Sequence, residues 1–277
     1  MGRRFDPDRA HSYRRDKFRE VLMRKISLSK YDVPDFFVDP VAEEKYGPDF
    51  WDSVENGSWE KEQLADLTSN ASSASYFLDI GASNGVYSLI MASFGCDVLA
   101  VEPDNLQFSA LVTNVELNQN LKIRARRGLV VSTIGPTLSP YALDTKLNKV
   151  DALEKIDFIS TLKPEINSII KIDIEGGEWS LLGDDKVLKL LLQHKHLVVY
   201  LSPHIGFFSQ NYHKSRLDRF RFRLSVLKEL RTLYRFARKA TSIVYLGVET
   251  TPFKLLRQDR VLGGPGLRSH IVFEFRH

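Results

Sequence analysis

Apolar and polar positions follow two alternating periods along most of the chain from residue 76 onwards. Short apolar runs typical of buried strands are separated by segments in which apolar residues recur every three or four positions, as on one side of a helix. In one such segment Val86, Ile90 and Phe94 share a face. Repeated strand–helix units predict an α/β fold, with a mostly parallel seven-stranded sheet and helices on both faces. The predicted strands are 76–80, 97–101, 121–125, 168–173, 197–201, 242–246 and 270–275, and the connecting helices include 84–94, 105–118 and 150–156.

The pattern changes before and after this alternating region. Residues 1–30 are polar and basic and predict a helix or a partly disordered arm. Residues 31–70 are rich in proline and aromatic residues and predict an irregular cap with one short helix at about 61–67. A long basic segment predicts a helical insertion at about 207–240. These boundaries divide the chain into an arm and cap, 1–70, and a main domain, 71–277.

The net charge of +4 is distributed unevenly over the 277 residues. Residues 1–30 contain ten Lys/Arg and four Asp/Glu, residues 211–240 contain ten and two, and the rest of the chain is therefore net −10. This asymmetry suggests an anionic partner or surface for the basic segments, although solvated helical faces have the same composition.

Cysteine content and hydropathy indicate the cellular compartment in which we expect the protein. The single cysteine, Cys96, excludes an intrachain disulfide and argues against a cysteine-based metal site. The sequence shows no signal-peptide pattern and no apolar run long enough to span a membrane. We therefore expect a cytoplasmic protein, either free or peripherally attached to a membrane.

A glycine-containing turn follows the first predicted strand and precedes a helix. Dinucleotide sites favour Gly-x-Gly-x-x-Gly at such a turn, but here Ser83 and Val86 replace the second and third glycines. Asp79 lies just before the turn, where a carboxylate would repel a pyrophosphate and attract a cation. S-adenosylmethionine (SAM) carries a sulfonium and an ammonium group and no phosphate, so the segment favours SAM over NAD. The candidate cofactor-binding residues of this turn are Asp79, Gly81, Ala82, Ser83, Asn84 and Gly85.

The next predicted strand ends in an acidic residue. Glu102 follows Asp79 by 23 positions and is succeeded by Pro103. An ionised carboxylate at this position can accept hydrogen bonds from both hydroxyls of a ribose. Glu102 and Pro103 therefore complete the candidate cofactor-binding set.

A second group of charged residues lies where the strand 168–173 ends. Charges at the carboxyl end of a central parallel strand are costly to bury without a partner or a task, and ligands bind at that end in open α/β sheets. Asp173 and Glu175 are therefore candidate catalytic residues. We expect Lys171 to form an ion pair with a neighbouring carboxylate. Glu178 enters the next helix, where it serves either the site or the helix N-terminus.

Three motifs in order resemble the FkbM family of SAM-dependent methyltransferases. They are 79–85, 101–104 and 170–178, with weaker echoes at 57–60 and 150–153. The resemblance covers about residues 55–205. It implies a class I methyltransferase fold of Rossmann-like type, and an O-methyltransferase that acts on a hydroxyl of a glycan, a glycolipid or a secondary metabolite. It also implies that Asp79, Gly81, Gly85 and Glu102 hold SAM, and that Asp173 and Glu175 lie near the methyl group.

One departure from the family concerns the strand 197–201. In the family this strand commonly ends in an acid followed by His, whereas this chain has Ser202, Pro203 and His204. Transfer to a hydroxyl benefits from a general base, and imidazole is suited to proton transfer near neutral pH. His204 is therefore a third catalytic candidate beside Asp173 and Glu175. No clear metal-ligand set is present, since the pair in 194–196 is too weak a pattern for zinc.

The basic segment 214–239 does not by itself identify what it contacts. Leucine and aromatic residues recur in it at helical spacing, with arginines around the rest. It predicts either a lid helix whose apolar stripe packs on the body, or a helix that contacts an anionic membrane or nucleic acid. The alternatives to the O-methyltransferase are therefore an RNA methyltransferase, or a non-catalytic SAM-binding module that docks on membrane or nucleic acid.

Overall fold

The computed structural model describes residues 23–40, 47, 49–131, 154–174, 177–204, 216–257 and 270–276, with the backbone alone at 216–223 and 225. Two strands near the N-terminus, β1 (Arg24–Leu28) and β2 (Val33–Val38), form a hairpin. The remaining nine form one sheet in the order β10-β9-β11-β8-β7-β3-β4-β5-β6. They are β3 (Tyr76–Ile80), β4 (Asp97–Glu102), β5 (Ile123–Val131), β6 (Glu154–Asp157), β7 (Ser168–Ile172), β8 (His196–Leu201), β9 (Ser242–Tyr245), β10 (Val248–Glu249) and β11 (Ile271–Arg276).

The sheet reverses its strand order next to β3. Strand β3 pairs in parallel with β4 on one side and with β7 on the other, and β11 lies antiparallel between β8 and β9. In open α/β sheets, ligands bind outside the carboxyl ends of the strands at such a switch point. The sheet is mostly parallel and Rossmann-like, so the predicted α/β fold class is confirmed.

The sheet is wider than predicted. All seven predicted strands are present. In the described part of the chain, β6 and the two-residue β10 add one strand at each edge, which gives a sheet of nine strands. The short helix predicted at 150–156 is wrong for its last three residues, because residues 154–157 pair with Gly128–Val131 of β5. Edge pairing with a distant strand overrides the local preference of such a short segment. Residues 150–153 lie outside the described part of the chain.

Helices cover both faces of the sheet, as expected. One core packs β1–β2 and the first helices against the sheet, and the other packs the later helices against the opposite face. The continuous helix expected after Gly177 is two short helices, since Asp184 caps the second one through a 2.8 Å bond from the amide of Lys186. The helices are α1 (Phe50–Glu55), α2 (Lys61–Ala71), α3 (Val86–Ser93), α4 (Asn105–Leu117), α5 (Phe158–Thr161), α6 (Glu178–Leu182), α7 (Asp185–Leu191), α8 (Arg216–Ala237) and α9 (Pro252–Arg257).

The cap is more regular than its sequence suggested. Ile26, Phe36 and Val38 are at most 1% exposed and point from the β1–β2 hairpin into the core. The arm predicted at 1–30 is therefore a strand over 24–28, and residues 1–22 lie outside the described part. The hairpin was missed because Pro34 discouraged a strand assignment, although proline is tolerated at an edge. The helix expected at 61–67 is present as α2.

Within the predicted basic insertion, the structure shows the 22-residue helix α8. Its buried side consists of residues such as Leu233 and Phe236, and the Phe236 ring meets Phe273 edge-on at 5.0 Å. Of the two alternatives for this helix, packing of the whole apolar stripe on the body does not hold at Leu224 and Leu227, which are 51% and 61% exposed. Neither α8 nor another described helix combines the length and apolarity needed to cross a membrane.

Candidate functional site

The turn after β3 is held against two neighbouring strands. Gly81, Ser83 and Gly85 have φ values of 80°, 53° and 89°, a left-handed region in which glycine is favoured. The amide of Gly81 donates to the carbonyl of Val101 in β4 at 2.9 Å. A Cβ at Gly81 would lie 1.9 Å from the carbonyl oxygen of Asp173, beyond the end of β7. Only glycine therefore allows the turn and the end of β7 to approach so closely.

Glu102 joins the turn to the end of β4. Its Oε2 accepts a 2.8 Å hydrogen bond from the amide of Ser83, and its Oε1 accepts one of 2.8 Å from the amide of Asp104. Asp104 in turn caps α4 by accepting from the amides of Leu106 and Gln107. An ionised carboxylate has about four acceptor sites, so these two bonds alone do not occupy all of those of Glu102.

The other residues predicted around the turn have different surroundings. Ala82 and Asn84 are 5% and 2% exposed, and the carbonyl of Asn84 accepts a 2.8 Å bond from Asn114. The Ser83 hydroxyl donates to Gln107 at 2.9 Å, and Pro103 is half-buried between β4 and α4. The structure thus brings the turn, Glu102 and Pro103 together.

A buried lysine lies beneath the turn. Lys171 and Asp79 are cross-strand neighbours, 4% and 0% exposed. The Lys171 Nζ lies 3.6 Å from Asp79 Oδ1 and 3.4 Å from Asp173 Oδ2, and it donates to the Gly81 carbonyl at 3.4 Å. Ser88 donates to the other oxygen of Asp79 at 2.7 Å. The ion pair expected for Lys171 is therefore present, with two carboxylates instead of one.

Burial and charge act in opposite directions on this cluster. Burial alone would lower the pKa of Lys171, but Asp173, Asp79 and Glu60 outweigh it and raise the pKa above the ordinary lysine value, so the side chain stays cationic. Burial raises the pKa of Asp79, while Lys171 and Ser88 counteract the rise. The charge of Asp79 is thus balanced inside the protein, and the carboxylate that reaches the open rim is Asp173, with 29% of its side chain exposed.

Two residues that sequence reasoning missed lie beside this cluster, Glu60 from the cap and Tyr87 from α3. The ring centroid of Tyr87 lies 5.5 Å from Lys171 Nζ, and its hydroxyl donates to Glu60 Oε2 at 2.7 Å. Glu60 precedes α2 in a left-handed conformation, with φ 41°. Desolvation raises the pKa of Glu60, against the effects of Tyr87 and Lys171. Only the weak motif at 57–60 marked this segment in the sequence.

His204 lies between two carboxylates at the same rim. Its Nδ1 is 2.5 Å from Glu178 Oε1, and its Nε2 is 3.6 Å from Asp173 Oδ1. Glu178 is fully buried and also accepts a 3.3 Å bond from the amide of Ile174. Glu178 thus serves both the helix terminus and the site. Glu175, the third catalytic candidate, lies outside the described residues.

This arrangement suits proton transfer. In a neutral ring whose Nδ1 donates to Glu178, Nε2 carries no proton, and it lies 3.6 Å from Asp173 at the rim. A protonated ring would be stabilised by both carboxylates. The His204 side chain is 23% exposed, so a substrate group can reach it.

Another histidine stabilises the neighbouring part of the rim. His270 is 4% exposed, stacks on Tyr200 and lies 3.2 Å from Asp66 of α2. Tyr200 accepts a 3.0 Å bond from Asn70. These contacts fix α2 to β8 and β11, and nothing in the sequence paired residues so far apart.

The histidine pair of 194–196 is not a metal site. Burial lowers the pKa of His194, whose Nδ1 contacts the carbonyl of Leu190 at 3.1 Å. His196 pairs instead with Glu274 at 2.8 Å. No group of His, Cys, Asp or Glu within the described ranges is arranged to hold a metal ion.

No family model and no curated protein matches the chain. Among solved structures, the N-terminal domain of human METTL16 in complex with SAH is 17% identical, over 80% of this chain and 69% of that one, with a TM-score of 0.34. WbdD is 13% identical, over 80% of this chain and 40% of that one, with a TM-score of 0.41. The Pyrococcus abyssi tRNA (uracil-54, C5)-methyltransferase is 12% identical over 91% and 44%, with a TM-score of 0.38. The chain thus spans less than half of the last two, and likenesses at this level do not extend to cofactor or substrate.

Gly81→Ala tests the close approach of the turn to β7. We expect it to lower the free energy of unfolding by the backbone cost of about 1–2 kcal/mol for a left-handed residue, plus about 1–3 kcal/mol for the clash with Asp173. Gly95→Ala is the matched control, because Gly95 has φ 94° and nothing lies within 4 Å of its Cβ position. Urea unfolding measures both, and equal losses would contradict the packing described here.

Lys171→Met tests the buried charge balance. Removing the cation leaves Asp79 and Asp173 uncompensated, which should cost about 3–5 kcal/mol at neutral pH. The loss of Lys171 raises the already elevated pKa of Asp79 further. Protonation then relieves the strain, so the deficit should shrink as pH falls from neutral towards the ordinary aspartate pKa of about 3.9.

The control for this experiment is the exposed lysine of β6, in the variant Lys155→Met. It should change stability by no more than about 0.5 kcal/mol at any pH. Urea unfolding of both variants between neutral and acidic pH gives the comparison. A Lys171→Met deficit that is independent of pH would show that the carboxylates are not what the lysine balances.

Proposed function

We propose that this protein is a SAM-dependent methyltransferase. The observation that carries the proposal is the convergence of the glycine turn, Glu102 and Asp173 at the switch point of the sheet. Three separate segments supply these groups, at the place where α/β sheets of this type bind ligands. A glycine turn alone would be weak support.

The residues at the rim fit SAM better than a dinucleotide. A Cβ at Gly81 or Gly85 would lie 1.9 Å or 2.6 Å from neighbouring atoms, so the turn is shaped by its neighbours and does not need a pyrophosphate to explain its glycines. Glu102 is placed to accept from ribose hydroxyls. Asp173 is the carboxylate that reaches the rim, where it would attract a cationic ligand.

His204 is the general base in this proposal. Bound SAM supplies an electrophilic methyl group on a sulfonium. Transfer to a hydroxyl requires removal of its proton, which Nε2 of His204 accepts at the rim. Glu178 holds the ring through Nδ1, and Asp173 stabilises the imidazolium that forms. Glu175 remains a catalytic candidate on sequence grounds alone.

The proposed acceptor is a hydroxyl of a glycan, a glycolipid or a secondary metabolite. Support comes from the FkbM-like motif at 170–178, of which Asp173 and Glu178 lie against His204. The acid that commonly precedes the histidine in that family is replaced, but Glu178 provides a buried carboxylate on the same imidazole. RNA is the alternative acceptor, because the basic segments would also suit phosphate. We propose a cytoplasmic setting on the basis of the single buried cysteine.

Calorimetry with SAM tests the proposed cofactor. We expect the protein to bind SAM and not NAD, because Ser83 and Val86 replace two glycines of the dinucleotide-binding pattern. Glu102→Ala should weaken SAM binding by about tenfold or more, since hydrogen bonds to a charged group contribute about 1.5–3 kcal/mol. Gly81→Arg should abolish binding.

Glu165→Ala is the matched control, since Glu165 is exposed near the amino end of β7. It should bind SAM like the unmodified protein, and circular dichroism confirms that each variant is folded. Absence of SAM binding, or equal binding by Glu102→Ala, would refute the proposed cofactor.

A further inference from the structure

One side of α8 faces outwards and combines leucine with basic residues. Leu224 and Leu227 lie one turn apart and are 51% and 61% exposed. Residues three and four positions apart share a helix face, so these leucines are neighbours of the basic residues that follow them. The exposed stripe consists of Leu224, Leu227, Lys228, Arg231, Arg235 and Arg238.

The opposite side of α8 already attaches the helix to the protein. Leu233, Phe236 and Ala237 are at most 1% exposed, and Phe236 packs edge-on against two phenylalanines of β11 at 5.0 and 5.2 Å. The two exposed leucines are therefore not needed to hold α8 in place. Exposed leucines next to basic residues on one side of a helix form the pattern of an interaction surface.

The charges along this stripe are of one sign. Between residues 224 and 239 the only acidic residue is Glu229, which is 6% exposed on the inward side of the helix. Arg235 pairs with Asp185 of α7, and the Arg238 guanidinium lies 5.7 Å from the centroid of the Tyr234 ring. Lys228, Arg231 and Arg238 therefore give the outward face a positive potential.

We propose that this face of α8 docks on an anionic lipid bilayer, with the helix lying in the plane of the interface. Leucine side chains enter the boundary between headgroups and acyl chains, while arginine and lysine reach lipid phosphates from the same side. Phe253, 62% exposed, lines a groove at the carboxyl end of α8 together with Arg238 and Glu249. Nucleic acid is the less suitable partner, because it offers no apolar layer for leucine and is bound through charges and stacking rings. The proposal is independent of the proposed chemistry.

Co-flotation of the full chain with vesicles tests the docking. We expect binding to vesicles of phosphatidylcholine and phosphatidylserine that weakens with salt, and little binding to phosphatidylcholine alone. Leu224→Glu/Leu227→Glu should abolish it. Arg231→Glu and Arg238→Glu should each weaken it by about fivefold or more, the effect of one basic residue near an anionic surface.

Two control variants distinguish the role of this face from the general effect of adding negative charge to the protein surface. Leu106→Glu replaces a leucine of α4 that is 75% exposed, and Lys122→Glu replaces an exposed lysine beyond α4. Both should bind vesicles like the unmodified protein. Because residues 1–30 are also basic, vesicle binding by the Leu224→Glu/Leu227→Glu variant is the result that decides whether α8 is the docking face. Unchanged binding by the folded Leu224→Glu/Leu227→Glu variant would overturn the proposal. So would binding to an RNA oligonucleotide alone, or no vesicle binding at low salt.

Discussion

The candidate site depends on a single buried cation. Lys171 lies in the central strand β7 beneath the rim, and its ammonium group faces Asp79, Asp173 and the carbonyl of Gly81. Without it, the carboxylates would stand close together in a poorly solvated layer and repel one another. The lysine thereby allows an acidic rim to exist at the carboxyl end of an otherwise apolar sheet.

Each functional group is fixed by contacts to this layer. Gly81 accepts from Lys171 through its carbonyl and leaves no room for a side chain beside Asp173. Asp173 is placed between the lysine and His204, whose other nitrogen meets the buried Glu178. Ion pairs thus connect Asp79 in the interior through Lys171 to Asp173 at the rim, where His204 lies beside Asp173. Such preorganisation suits binding of a cationic ligand and transfer of one proton without rearrangement of the protein.

Local patterns in the sequence were enough to predict most of the fold and the ends of three strands. Asp79, Glu102 and Asp173 each lie at or near the end of a short apolar run typical of a buried strand. Parallel pairing then brings the carboxyl ends of these strands together. The missed features depend on contacts between distant segments. Glu60 meets Tyr87 because the cap folds over α3, and His270 reaches Asp66 across 204 positions. Strand β6 was assigned as helix because only its pairing with β5 makes it extended.

The most direct measurement is a crystal structure of the protein with S-adenosylhomocysteine. We expect the ribose hydroxyls to contact the carboxylate of Glu102 and the amino-acid part to lie over the Gly81–Gly85 turn beside Asp173. The sulfur should face the His204 side of the rim. Lys171 should keep its contacts to Asp79 and Asp173. Binding of the ligand elsewhere, or an orientation that leaves Glu102 and Asp173 without contact to it, would contradict the account.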